Sequence, residues 1–372
     1  MSDILDSRAL NRALLERQGL LRRGSRTVDQ TLAHLVGLQA QAPLAPYVGL
    51  WSRLDGFRPE HLSDRITDRS AVRVVATLRS TIHLFTADDA LALRPVLQPM
   101  LERALAGSPF ARNVIGMDMD QLLEAGRQLL EGQPMTATEL ARELSVRWPD
   151  RDATSLSYAV RYLLPLVQVP PRGIWGASGP ARVANLDTWV GRPLGASVEP
   201  DEWIVRYLRA FGPATVADIG TWSWMTNLRP IVERLRPNLR TFRDDRGKEL
   251  FDVPDGPLPD PETPAPVRFL PEYDNAVLSH ADRTRIVPKG RRIPLPPGNG
   301  AVMGTILVDG YLCGTWKIVR QGATATLEIE PDLVLDPADR KALEAEGDGL
   351  LRFVATDADR RDVRIASDQV TS

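Results

Sequence analysis

Cysteine is nearly absent from this chain of 372 residues: Cys313 stands alone. A single thiol excludes an intramolecular disulfide and every multi-cysteine zinc or iron–sulfur site. Histidine is almost as scarce, with His34, His61, His83 and His280 scattered singly, so no metal centre is expected. No apolar run approaches the ~18 residues of a membrane span. The stretch from Met1 to Arg17 lacks a basic segment followed by an apolar one, so no signal peptide is read there. Neither a nucleotide-binding glycine loop nor a Ser/His/Asp order of hydrolase type is found, and no cofactor is expected. These absences describe a cytoplasmic protein without a membrane partner, expected to be a monomer. Lysine is rare too. Of 46 basic residues only Lys248, Lys289, Lys317 and Lys341 are lysine. A GC-rich genome gives that bias without any functional cause, although the planar arginine fork also suits phosphate and base contacts.

What is present is unevenly distributed. The formal charge is only −2, but residues 1–112 hold 15 arginines against 11 acids, net +4. Residues 281–320 hold seven basic residues against two acids, net +5, while residues 324–372 are net −6. A nucleic-acid binder needs positive potential gathered on one face, and the first and second of these segments permit it. At this length two to four modules are expected.

The apolar pattern resolves into repeated groups of helices followed by strands. Ser7 caps a helix to about Gln18, and Thr27 starts a second that runs until Pro43 forces its end. A third covers Tyr47 to Leu54. Val72–Thr77 and Thr81–Phe85 then read as two strands around Leu78-Arg79-Ser80, with a further helix starting at Thr86. Helix signals recur at 120–130, 138–147 and 155–164, ahead of the apolar run 166–169 and a short strand at Ile174-Trp175. They recur again at 201–211, 215–225 and 228–235, ahead of strands at 239–243 and 249–253. Three helices and a two-stranded wing make a winged-helix unit, so the fold class is α+β with three such units in tandem: 1–112, 113–195 and 196–262. A Pro-rich connector follows. Residues 263–372 read as a β-barrel-like module, with strands at 301–308, 311–319 and 323–329, a hairpin turn at Asp309-Gly310 and one helix near 337–345.

Gln39-Ala40-Gln41 falls at the end of the second expected helix. Residues two apart point about 200° away from each other in a regular helix, so only an irregular end, imposed by Pro43, would turn both amides to one point. The geometry makes the pair usable without identifying it. The surrounding residues do more. Leu38-Gln39-Ala40-Gln41-Ala42-Pro43 resembles the Gln-aliphatic-Gln motif of the AlkZ-type winged-helix DNA glycosylases. Arg79-Ser80-Thr81-Ile82-His83-Leu84 is similar to that family's wing. Gly212-Pro213-Ala214-Thr215, with Asp218 and Trp222, and Leu270-Pro271-Glu272-Tyr273-Asp274, followed by Asp282-Arg283, also match its pattern. These motifs stand in order over residues 8 to 320.

The resemblance implies three winged helices around a DNA channel, with Gln39 and Gln41 as the catalytic pair of an enzyme that removes alkylated guanines and unhooks interstrand crosslinks. Gln41, where a related branch carries aspartate, points to the crosslink-resolving branch. It also implies DNA contacts from His83 and Arg79, and from a basic hairpin carrying Arg283, Arg285, Lys289, Arg291 and Arg292. The partner is double-stranded DNA bearing such lesions, and self-resistance to a genotoxic natural product is the implied role. The competing readings are a non-enzymatic winged-helix regulator and a glycosylase restricted to small alkylpurines.

Overall fold

The computed structural model describes residues 4–291, 293 and 303–366. Most helices start where a short polar side chain can take a free N–H of the first turn. Asp6, Thr27, Thr86, Asp118, Thr136, Asp152, Thr215 and Asp336 each cap a helix through the side chain. The first group comprises β1 (Ile4–Leu5), α1 (Ser7–Arg17), α2 (Val28–His34), β2 (Leu38–Gln39), α3 (Ala45–Trp51), α4 (Pro59–Thr67), β3 (Ala71–Val75) and β4 (His83–Thr86). Helices α5 (Ala87–Val96) and α6 (Gln98–Ala106) lead out of it.

The second group comprises α7 (Met119–Gly132), β5 (Met135–Thr136), α8 (Ala137–Arg147), α9 (Ala153–Leu163), β6 (Leu166–Gln168), β7 (Arg182–Asn185) and α10 (Leu186–Val190). The third is α11 (Asp201–Phe211), α12 (Val216–Ser223), α13 (Arg229–Leu235), β8 (Arg240–Asp244) and β9 (Glu249–Asp252). The chain ends with β10 (Arg268–Leu270), α14 (Asn275–Leu278), β11 (Gly304–Val308), β12 (Tyr311–Gln321), β13 (Thr324–Pro331), α15 (Pro337–Val354) and β14 (Arg360–Ile365).

The architecture is therefore mixed α and β, with a pair of adjacent antiparallel strands (β3-β4, β6-β7, β8-β9) following helices in each of the first three groups. The strands do not stay within their groups. β3 pairs with β6, fusing two hairpins into one six-stranded sheet of order β2-β4-β3-β6-β7-β5. The N-terminal β1 crosses the molecule to lie parallel to β8. One apolar core runs from Leu14 through Val74, Leu122, Val160 and Trp222 to Leu307. Among the described residues no helix is long and apolar enough to cross a membrane.

Several expectations are corrected here. The second helix stops at His34, nine residues before Pro43, because Val36 (φ 52°) and Gly37 (φ 81°) turn left-handed. A Cβ on Gly37 would lie 2.5 Å from the Phe85 ring, so only glycine lets the chain pass β4 at that distance. The freed segment pairs as β2 instead. Ile174-Trp175 lies in a turn, and the strand partnering β6 is β7. The C-terminal strands form an open five-stranded sheet, β10-β11-β12-β13-β14, and not a closed barrel. Its last pairing is parallel, with α15 as the crossover. The Asp309-Gly310 turn does join β11 to β12, with both residues left-handed as a two-residue hairpin turn requires. Residues 283–291 are turns, with no strand of a hairpin among them.

Candidate functional site

Because Gln39 lies in a strand, the two-residue period of extended chain replaces the helical one. Gln39 is the register partner of His83 on β4, and the Ala40 N–H continues the pairing to Ile82 O at 2.8 Å. The strand ends at Gln39 and Gln41 follows in a bend, so both glutamines stand at the end of β2 beside β4 and not at a helix end. Arg73, buried on β3, fixes the residue between them by donating to Ala40 O at 2.8 Å. Burial, with Arg172 nearby, lowers the Arg73 guanidinium to about 10, still protonated at neutral pH.

The turn between β3 and β4 supplies the central cation. Ala76, Arg79 and Ser80 all have positive φ, a strained arrangement for side-chain-bearing residues. It aims Arg79 inward at four groups. Nη1 donates to Trp222 O at 3.0 Å. Nη2 donates to Gln39 Oε1 at 2.8 Å and to Asn275 Oδ1 at 2.9 Å, and lies 3.4 Å from His83 Nε2. Asn275 in turn donates to Gly37 O at 3.2 Å. Burial, then the like charge of Arg283, lowers Arg79 to about 10. Arginine only donates, so the Gln39 atom facing it must be the oxygen. The Gln39 amide nitrogen makes no hydrogen bond to a described residue. Gln41 is half-exposed, and its Oε1 makes only a long contact, 3.4 Å, with Ile82 N–H.

His83 is wholly buried, which corrects its expected DNA contact: the ring has no surface to offer. The same fork assigns its proton. Nε2 faces a donor and accepts, so Nδ1 carries the hydrogen and donates to Thr77 Oγ1 at 3.0 Å. Thr77 spends its own proton on Thr81 O at 2.9 Å. His83 is thus a neutral prop for Arg79.

Two of the expected basic contacts are structural. Arg285 is buried, donating to Pro213 O at 2.9 Å beside Asp218. Arg291 holds Asp332 at 2.7 Å and Leu312 O at 2.8 Å. Two others are available. Arg283 is half-buried, its side chain has no hydrogen bond or ion pair among the described residues, and its buried Nε is unpartnered. Lys289 is exposed and likewise unpaired among them. They share an open cleft of about 520 Å³. Arg292 and the segment 294–302 lie outside the described residues. Asn275 was not singled out from the sequence, although it directly follows the Leu270–Asp274 motif.

Burial lowers His83, His280 and His34 below the usual imidazole value. All three stay neutral at pH 7, and unfolded histidine titrates near 6.5. Below that pH the unfolded chain takes up protons that the fold refuses. Stability is therefore full above pH ~6.5 and falls below it, by up to about 1.4 kcal/mol per pH unit for each histidine. Urea midpoints measured from pH 7 to pH 5 are expected to drop steadily. A flat profile would mean that the imidazoles protonate in place.

A family model described as DNA glycosylase AlkZ-like matches residues 32–353. No curated protein matches the chain. Among solved structures, Streptomyces sahachiroi DNA glycosylase AlkZ superposes with a TM-score of 0.71 at 21% identity, over 98% of this chain and 100% of that one.

Proposed function

The chain belongs to the AlkZ-like DNA glycosylase family, and we propose that it hydrolyses the N-glycosidic bond of N7-alkylguanines in duplex DNA and unhooks interstrand crosslinks, with Gln39 and Gln41 holding the attacking water. One observation carries this reading. Gln39 Oε1 is pinned by Arg79 in a cluster of Asn275, His83 and Thr77 that has no carboxylate among the described residues. The carboxylate next along, Asp274, is committed to Arg53 by two hydrogen bonds of 2.9 and 2.8 Å. The cluster that holds Gln39 therefore offers no carboxylate base, and the remaining nearby carboxyl, Glu272, lines a separate cleft with Ala42 and Pro43, where burial raises its pKa.

The substrate chemistry removes that need. An alkyl group on N7 makes guanine cationic, so the base leaves as a neutral molecule without a proton from the enzyme. What remains is to place a water against the oxocarbenium-like C1′. The amides divide that task. Arg79 occupies Gln39 Oε1, leaving Nε2–H to donate to the water, while Gln41 Oε1 accepts a hydrogen bond from it; the proton that the water loses once it has bonded to C1′ passes to solvent. Arg283 and Lys289, unneutralised, supply the phosphate contacts that hold the duplex. A role in self-resistance to an alkylating natural product fits these substrates.

The test is direct. The purified protein is incubated with duplexes carrying N7-methylguanine, a bulky N7 adduct or an N7–N7 crosslink, and abasic sites and separated strands are counted. All three are expected to react. Release from the methylated duplex alone would restrict the enzyme to small alkylpurines, and no release from any would leave a DNA binder.

The charge assignments make a separate prediction. Arg283→Gln and Lys289→Gln should each flatten the salt dependence of duplex binding by about 0.9 in log–log slope, one phosphate contact apiece. Arg291→Gln should leave the slope alone and lower the melting temperature, since its charge is spent on Asp332. A slope unchanged in both of the first two variants would remove this segment from the DNA interface.

A further inference from the structure

Helix α12 ends against the Gln39 cluster. Its Trp222 carbonyl takes Nη1 of the same guanidinium whose Nη2 holds Gln39. Two residues on, Trp224 closes the helix as its C-cap, with φ 61° and ψ 10°. Left-handed caps are the place of glycine, because a Cβ there crowds the following carbonyl. The side chain that bears this strain is indole, and it is 51% exposed, whereas Trp203, Trp222 and Trp316 are buried. No ring or cation contact among the described residues holds it. Folding gains little from tryptophan at this position.

The surroundings favour an anionic, stackable partner. Arg103, exposed on α6, donates to Trp224 O at 3.4 Å and has no carboxylate partner among the described residues. Arg283, which lowers Arg79 through its like charge, is also unpaired among them. An exposed aromatic ring whose own carbonyl is held by an exposed arginine with no carboxylate partner among the described residues, on the helix end that touches Arg79, suits a base stack beside a phosphate backbone.

We infer that Trp224 is a wedge for damaged duplex DNA: its indole enters the base step beside the lesion and opens the stack so that the lesion's C1′ reaches Gln39 and Gln41. The inference rests on the glycosylase reading above. It also answers a difficulty in it. A guanine tethered to the opposite strand cannot swing freely out of the helix, so the sugar must be exposed by distorting the neighbouring step.

The experiment uses Trp224→Gly and Trp224→Phe. Glycine suits the left-handed backbone and the half-exposed indole holds no ring or cation contact among the described residues, so the melting temperature of Trp224→Gly should change little. Its single-turnover excision of N7-methylguanine should fall at least tenfold, with phenylalanine retaining most of the rate. A 2-aminopurine placed next to the lesion should brighten on binding wild type and Trp224→Phe, and stay dark with Trp224→Gly. If wild type releases the base and Trp224→Gly matches it with the same 2-aminopurine signal, the wedge is overturned while the glycosylase reading stands. If wild type releases nothing, that reading fails, and the 2-aminopurine signal alone decides whether Trp224 enters the stack.

Discussion

Gln39→Ala and Gln41→Ala should each lower the single-turnover rate of N7-alkylguanine release by at least tenfold, a barrier increase of about 1.4 kcal/mol or more, with duplex affinity little changed. The two variants should differ in their side effects. Gln39 is buried and accepts from Arg79, so alanine leaves one donor of a desolvated guanidinium unpaired. A stability loss of about 1–3 kcal/mol is expected with it. Gln41 is half-exposed and bonded only at 3.4 Å, so its loss should register in the rate and hardly in the melting temperature. Gln39→Glu is the informative third variant. A carboxylate would form an ion pair with Arg79, restoring stability while removing the Nε2–H that the water needs. A double alanine variant with full activity would remove the glutamines from the chemistry.

The polar caps and apolar periodicity made the helices of the second and third groups legible in the sequence, because those signals are local. Thr136 with Glu139 and Thr215 with Asp218 are reciprocal caps three residues apart. The error at Gln39 had a physical cause. Leu32, Leu35, Val36 and Leu38 carry a helical apolar spacing, yet Val36 and Gly37 take left-handed angles because the chain must pass under Phe85. That demand comes from β4, some 45 residues away, and no local pattern announces it.

The site followed the same division. The glutamine pair and Arg79 were found as motifs. The roles of the remaining residues depended on partners far along the chain. Arg285 looked like a free cation until Pro213 and Asp218 came beside it, and Arg291 until Asp332 did. His83 could be placed on its strand, but its complete burial is a property of the assembled sheet.

The largest stability effect is expected at Asp274. Its carboxylate and the Arg53 guanidinium are both buried, and they bind each other through both oxygens. Arg53 also donates to Gly49 O at 3.0 Å and lies 3.3 Å from Gln18 Oε1. Asp274→Ala strands this cation away from water, which typically costs about 3–5 kcal/mol. Asp274→Asn should cost less, since an amide oxygen can still accept from Arg53. A double replacement, Arg53→Met with Asp274→Leu, should recover much of the loss, because neither buried charge then remains. Activity should not recover with it. Asp274 Oδ1 accepts from Ala276 N at 2.9 Å and so caps α14, whose first residue, Asn275, holds Arg79. Leucine at 274 removes that cap, frees Asn275 and loosens the guanidinium that fixes Gln39. Urea denaturation and single-turnover excision on the same preparations separate the two effects. A double variant that regained both stability and rate would show that the Asp274 cap does not hold the site.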